Sequence, residues 1–122
     1  YSPLAGGVLT GKYNNSTPPE GARFVKYMKE GERQKRMSNR FLNEETIAST
    51  SEIMKIAAEA GMSATVLSVA WSKQHDFVAS TIIGANTVAQ LEESLKATDV
   101  ILSEDTLSKI NQLSKKIQYP MG

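Results

Sequence analysis

The 122-residue chain has no cysteine. That excludes disulfides and thiolate metal sites, and it fits a reducing, cytoplasmic setting. It has one histidine, His75. His75 follows a helical stretch and precedes a β-rich one, so it is expected as a helix-end residue rather than a catalytic group. No apolar run approaches the roughly 18 residues that span a bilayer. No signal-peptide pattern is present either. The formal net charge is only +1, so bulk charge points to neither a nucleic acid nor a membrane as partner. The basic stretch from Arg33 to Arg40 is interrupted by polar residues, has acids beside it and lacks an aromatic platform, so it reads as solvated surface.

What is present is enough for one small domain with an ordinary 40% of apolar residues. The chain opens on Tyr1-Ser2-Pro3-Leu4-Ala5-Gly6-Gly7, which reads as a strand end entering a Gly-rich loop. A strand end with no strand before it is expected of a fragment or a processed product. Residues 1–42 read as that strand end and a long loop, broken by Pro18-Pro19. A short polar helix could form between Lys26 and Arg36, with Gly31 weakening it. Asn43 is the expected cap of a helix carrying Ile47, Met54, Ala57 and Ala58 at helical spacing, and Gly61 its stop. Ser63 caps the next, with Val66, Leu67, Ala70 and Trp71 as a buried side. These helices fill residues 43–75.

Val78 to Ile83 is short, β-rich and without alternation, which predicts a strand buried on both faces. Two helices are expected over 87–118, one capped at Asn86 or Thr87 with Val88, Leu91 and Leu95 on one face. The other is capped at Ser103, with Leu107, Ile110, Leu113 and Ile117 as its stripe. A tail begins at Tyr119. Strand end, loop, helices, strand, helices is the order of parallel βα units. The expected fold class is therefore α/β, yet one strand is too few for a sheet. An isolated chain of this kind is expected to be largely helical. Its unprotected strand edge invites self-association or completion by another chain.

Two strand-to-helix turns could carry chemistry. Around Ala5, Gly6 and Gly7, small residues let backbone N–H groups approach an anion, and Lys12 adds charge. The bland alternative is a tight surface loop. At Ile83-Gly84-Ala85-Asn86-Thr87, a helix start offers free N–H groups and the positive end of its dipole. The bland alternative there is a capped helix with nothing bound. Parallel barrels gather phosphate sites in the loops after their seventh and eighth strands.

Tyr1-Ser2-Pro3-Leu4-Ala5-Gly6-Gly7-Val8-Leu9-Thr10-Gly11-Lys12-Tyr13 resembles the seventh-strand motif of the aldo-keto reductases. The likeness is greatest to the branch with the potassium-channel β subunits and many bacterial reductases. Ile82 to Ser94 resembles the family's eighth-strand and adenosine-binding motif. The resemblance implies the C-terminal part of a (β/α)8 TIM barrel and NADP(H) as cofactor. Tyr1 then matches the aromatic that stacks on the nicotinamide, and Ser2, Pro3, Leu4 and Gly6 the loop over the pyrophosphate. Lys12 and Arg23 match basic residues that neutralise cofactor phosphates. Gly84, Ala85 and Asn86 match the turn beside the adenosine 2′-phosphate, with Gln90 facing that phosphate. Glu93 matches a contact to the adenine amino group. Ser94 stands where the family usually has Asn, and some branches carry Lys and Arg where this chain has Gly84 and Gln90. The implied reaction is hydride transfer between NADPH and an aldehyde or ketone. The family's catalytic Tyr, Lys, Asp and His match no position here, so the resemblance implies a cofactor-binding part without catalysis of its own.

Overall fold

The computed structural model describes residues 1–118 and Pro120. Among the described residues a broken 3-10 turn, Ala5–Thr10, precedes six helices: α1 (Arg23–Met28), α2 (Glu32–Phe41), α3 (Glu44–Glu59), α4 (Ala64–Lys73), α5 (Val88–Leu95) and α6 (Glu104–Lys116). The last four start where the sequence predicts. Asn43, Ser63, Thr87 and Ser103 each accept the backbone N–H three residues on, meeting an orphan donor of the first turn. Glu44 and Glu45 open α3, and Glu104 and Asp105 open α6, against the positive dipole end. α3 ends at Gly61, whose N–H donates to the Ala58 carbonyl while the Met62 N–H reaches the Ala57 carbonyl. That is the paired Schellman bond pattern. At its other end α3 is tied to the chain terminus, because the Pro120 carbonyl accepts from Asn43 Nδ2 and Thr46 Oγ1. The rest of the expected tail lies outside the described residues.

Two hydrophobic clusters result. The larger is built from Ala57, Ala64, Val66, Leu67, Val69, Ala70, Ala97, Leu102 and Ile110, with α4 lying against α3 and α5, and α6 packed on the α3 side. Trp71 packs on this cluster from its half-buried edge, its ring meeting His75 edge-on at 4.6 Å between centroids. The smaller cluster gathers Ala5, Val8, Tyr13, Ala22 and Phe24, with Phe41 and Ile47 at its rim. Phe24 is 1% exposed and stacks on Phe41 at 5.0 Å. α1 and α2 lie against each other, and the 3-10 turn bears on α2, α3 and α4.

Three expectations need correction. Among the described residues there is no strand, and Val78 to Ile83 runs without ladder partners. Its expected burial on both faces also fails, since Ile82 is 86% exposed and Val78 and Ile83 are half-buried. A strand is held by pairing along its length, and nothing among the described residues pairs with it. The long loop of residues 5–42 is ordered into α1 and α2, with Gly31 at the N-cap of the second. The side chains that draw it together are aromatic: Tyr13, Tyr27 and Phe41 each contact the Phe24 ring. No single helix among the described residues is long and apolar enough to cross a membrane; α3 and α4 together would be, but meet at 89°.

Candidate functional site

The first turn is built from left-handed backbone. Ser2, Ala5, Gly6 and Gly7 have φ of 55, 47, 66 and 95°. For Ser2 and Ala5 that region costs about 1–3 kcal/mol each. The surrounding bonds hold them there. The Ser2 carbonyl accepts from the Ala5 N–H at 2.7 Å, the Leu4 carbonyl from Gly7 at 2.8 Å, and Thr10 Oγ1 donates to the Gly7 carbonyl at 2.8 Å. Leu4 anchors the turn to the larger cluster. A Cβ on Gly6 would lie 2.7 Å from the Phe24 ring and 3.8 Å from Arg23 Nη1; one on Gly7 would lie 2.8 Å from Lys12 Nζ. Two cationic side chains therefore lie beside consecutive glycines, and the missing side chain at Gly7 leaves room for Lys12 while that at Gly6 leaves room for Phe24.

Neither Lys12 nor Arg23 has a carboxylate partner among the described residues. Burial, and then the Arg23 charge, hold the Lys12 amine below its ordinary value. The Tyr13 ring, 5.3 Å from Lys12 Nζ, gives the ammonium some compensation. Burial pushes the Tyr13 phenol up, against the Phe24 N–H that its oxygen accepts at 3.2 Å and against Arg23. That bond also fixes the start of α1, whose N-cap Ala22 offers no side-chain acceptor. An unpaired, half-buried ammonium beside a guanidinium is a place where an anion lowers the energy. Tyr1 and Pro3 complete the segment, with the Tyr1 ring fully exposed and Pro3 half-buried.

The second turn is different. Gly84, Ala85, Asn86 and Gln90 are all exposed. Gln90 Oε1 accepts the Asn86 N–H at 2.9 Å, and the Gln90 N–H donates to Thr87 Oγ1 at 3.2 Å, so the residue expected to face a phosphate closes its own helix start. Glu93, expected at an adenine amino group, accepts from Lys96 Nζ at 2.6 Å and from Ser63 Oγ. Those two partners, Lys96 foremost, hold its carboxyl below the usual range. Ser94 is 4% exposed and donates to the Gln90 carbonyl at 3.0 Å. Both turns border the larger cluster, through Leu4 and Ile83, and no hydrogen bond or ion pair among the described residues joins them.

Two hollows lie away from both turns. One of about 430 Å³ runs along α6 past Leu107 and Asn111, and one of about 270 Å³ lies between α3 and α6 at Ile56 and Leu102. Neither includes a residue expected in the site. The side chains that sequence reasoning missed are Tyr13 and Phe24, which set where Arg23 sits. A signal existed: four of the eight aromatic residues fall within residues 13–41, too many for a solvated loop.

A left-handed glycine turn with two cations close by defines a class, a compact turn carrying positive charge without carboxylate partners among the described residues, before it defines a family. The sequence settles the family. The model of the Aldo/keto reductase family matches residues 1–115, and the chain belongs to that family. It is 39% identical over 115 residues to a probable voltage-gated potassium channel subunit beta of Arabidopsis thaliana, covering 93% of this chain and 34% of that protein. It is 32% identical over 120 residues to Protein tas of Escherichia coli (strain K12), covering 98% and 32%. To the L-glyceraldehyde 3-phosphate reductase of the same strain it is 31% identical over 113 residues, covering 92% and 32%. The chain thus spans about a third of the length of the curated relatives it matches.

Proposed function

We propose that this chain is the NADP(H)-binding part of an aldo-keto reductase. Carbonyl reduction, of an aldehyde or ketone to an alcohol, belongs to the longer polypeptide that such a part completes. The observation that carries the reading is the convergence of Lys12 and Arg23, without carboxylate partners, on the Gly6–Gly7 turn. The residues fit the group: the turn and its two cations hold the pyrophosphate, and the exposed Tyr1 ring stacks on the nicotinamide. Ser2, Pro3 and Leu4 shape the loop between them. Gly84, Ala85 and Asn86, with Gln90, sit beside the 2′-phosphate, and Glu93 and Ser94 near the adenine. Each Glu93 oxygen accepts one bond already, Oε1 from Ser63 and Oε2 from Lys96, and keeps a further lone pair for that contact. NADPH, when bound, supplies the hydride; this chain's residues bind and orient.

Titration of the purified chain with NADPH, followed by Trp71 fluorescence, tests the reading. Saturable binding near micromolar is expected. Lys12→Met should weaken it by about 10- to 100-fold, since a hydrogen bond to a charged group contributes about 1.5–3 kcal/mol. No binding at millimolar cofactor would sink the proposal. A carbonyl-reductase assay on the chain alone should show no turnover.

A second reading, an interaction module completed by another chain or by a second copy, draws on the apolar surface of the β-rich segment and α5. Phe77, Ile82, Val88, Leu91 and Leu95 are all exposed, and such surface favours association. Sedimentation at rising concentration separates the readings: a monodisperse monomer throughout counts against the module.

A further inference from the structure

The chain has ten lysines, and they divide by partner. Lys29, Lys35, Lys55, Lys96 and Lys109 pair with carboxylates. Lys73 donates to the Val100 carbonyl. Lys26, Lys115 and Lys116 are exposed to solvent. Lys12 is, among the described residues, the one half-buried lysine with neither a carboxylate nor a carbonyl to hold its proton. Its amine lies against Gly7, and the Arg23 guanidinium lies over the neighbouring Gly6.

Two consequences follow from that placement. Desolvation and an adjacent cation are the two conditions that raise the fraction of neutral, nucleophilic amine, and both act at Lys12. Arg23 presents a guanidinium fork that suits a phosphate. A nucleophile and an anion holder side by side select a molecule with an electrophile and a phosphate in one short frame. We propose that Lys12 captures phosphorylated aldehydes as an imine, with Arg23 holding the phosphate.

The chemistry balances without a further reactant. The neutral amine of Lys12 adds to the carbonyl carbon, and a proton passes from nitrogen to the carbonyl oxygen to give a carbinolamine. Loss of one water then forms the C=N bond. Nothing is oxidised or reduced. The proposal rests on the same Gly6–Gly7 site as the cofactor reading, but it does not require that NADP(H) be the natural occupant.

The test uses limiting pyridoxal 5′-phosphate, and pyridoxal without the phosphate as control, each trapped with borohydride and mapped by peptide mass spectrometry. Lys12 should carry several-fold more label than Lys26, Lys115 or Lys116, and several-fold more from the phosphorylated probe than from pyridoxal. Label spread evenly over these lysines, or an equal response to both probes at Lys12, overturns the proposal. Both comparisons are made on the unaltered chain, so no variant needs to fold. In Arg23→Gln, with helix content checked by circular dichroism, the preference for the phosphorylated probe should vanish while pyridoxal labelling persists. A preference unchanged by that substitution also overturns the proposal. NADPH added before the probe separates the two ideas. Selective label at Lys12 that NADPH fails to block supports imine capture and refutes the cofactor reading. Protection without selectivity does the reverse.

Discussion

Gly7 and Gly84 both sit in small-residue turns, yet a methyl group would meet different things at each. At Gly7 it would enter backbone at φ 95° and press on Lys12 Nζ at 2.8 Å. At Gly84 it would find nothing within 4 Å, on backbone outside the left-handed region. The first turn is enclosed by its own cluster, with Phe24 beneath it and Leu4 anchoring it to the larger core. The second is held by a helix cap and one side-chain bond, and the apolar residues beside it, Ile82 and Val88, are exposed. Local chemistry alone thus finishes the first turn. It leaves the second with a helix start and no walls. An anion site with fixed cations is expected at the first, and only a transient one at the second.

The largest way to break that contrast is Phe24→Ala. Removing a buried ring that touches Tyr13, Tyr27 and Phe41 should cost about 3–5 kcal/mol. The loss should fall on the smaller cluster. Hydrogen exchange is then expected to speed up for α1 and α2 amides while α4 amides stay protected. Equal deprotection of α4 would show that the two clusters do not behave as separate units. Next in size is Gly7→Ala, at about 1–3 kcal/mol for forcing a side chain into the left-handed region. Its methyl displaces the Lys12 amine as well, so anion affinity should fall further than stability does. An NADPH titration beside a urea melt measures both. A variant that binds as tightly as the parent would show that Lys12 takes no part.

Lys12→Met should act in the opposite direction on stability. The folded amine sits below its ordinary value of 10.5, so the charged form is penalised in the fold. Between that lowered value and 10.5 the unfolded chain binds more protons than the folded one, so the parent's stability rises with pH there. Below the window the full penalty is present, and the Met variant escapes it. The variant should therefore unfold at slightly higher urea at pH 7, with the gain shrinking as pH climbs toward 10.5. A variant less stable than the parent at pH 7 would mean that the Tyr13 ring contact outweighs desolvation.

Why some of this was legible in the sequence and some was not follows from range. Asn43, Ser63, Thr87 and Ser103 could be placed because a cap bonds a backbone N–H three residues away. Gly61 could be read as a stop for the same reason. α1 had no such mark, since Ala22 caps nothing and the acceptor for Phe24 is Tyr13, eleven residues back. Val78 to Ile83 was misleading in the other direction. Its composition is that of a strand, but strand formation depends on a neighbour that its own residues cannot supply. In the site, Lys12 was reached from the turn's own residues and Arg23 through a family likeness, and the structure adds what places them together. Gln90, three residues after Thr87, has the spacing of a capping box. Its side chain takes the N–H of Asn86, one residue before the cap, so a near variant of that local pattern engages it in this structure, whereas the 2′-phosphate role depends on a ligand.

The smallest effects should lie in the second turn, and they sharpen the contrast most cleanly. Thr87→Ala removes the oxygen that accepts the Gln90 N–H, and should cost about 1 kcal/mol, confined to α5. Gly84→Ala should cost less still, within about 0.5 kcal/mol, because the new methyl is free of contacts and the backbone is ordinary. The value of Gly84→Ala is that it separates folding from binding. If NADPH affinity drops while the urea midpoint stays fixed, the cofactor approaches the Gly84 backbone more closely than any atom of this chain does. If neither changes, the grip of this chain rests on the Gly6–Gly7 turn alone. A fall in stability comparable to that of Gly7→Ala would mean that the second turn is as tightly built as the first, and the contrast would fail.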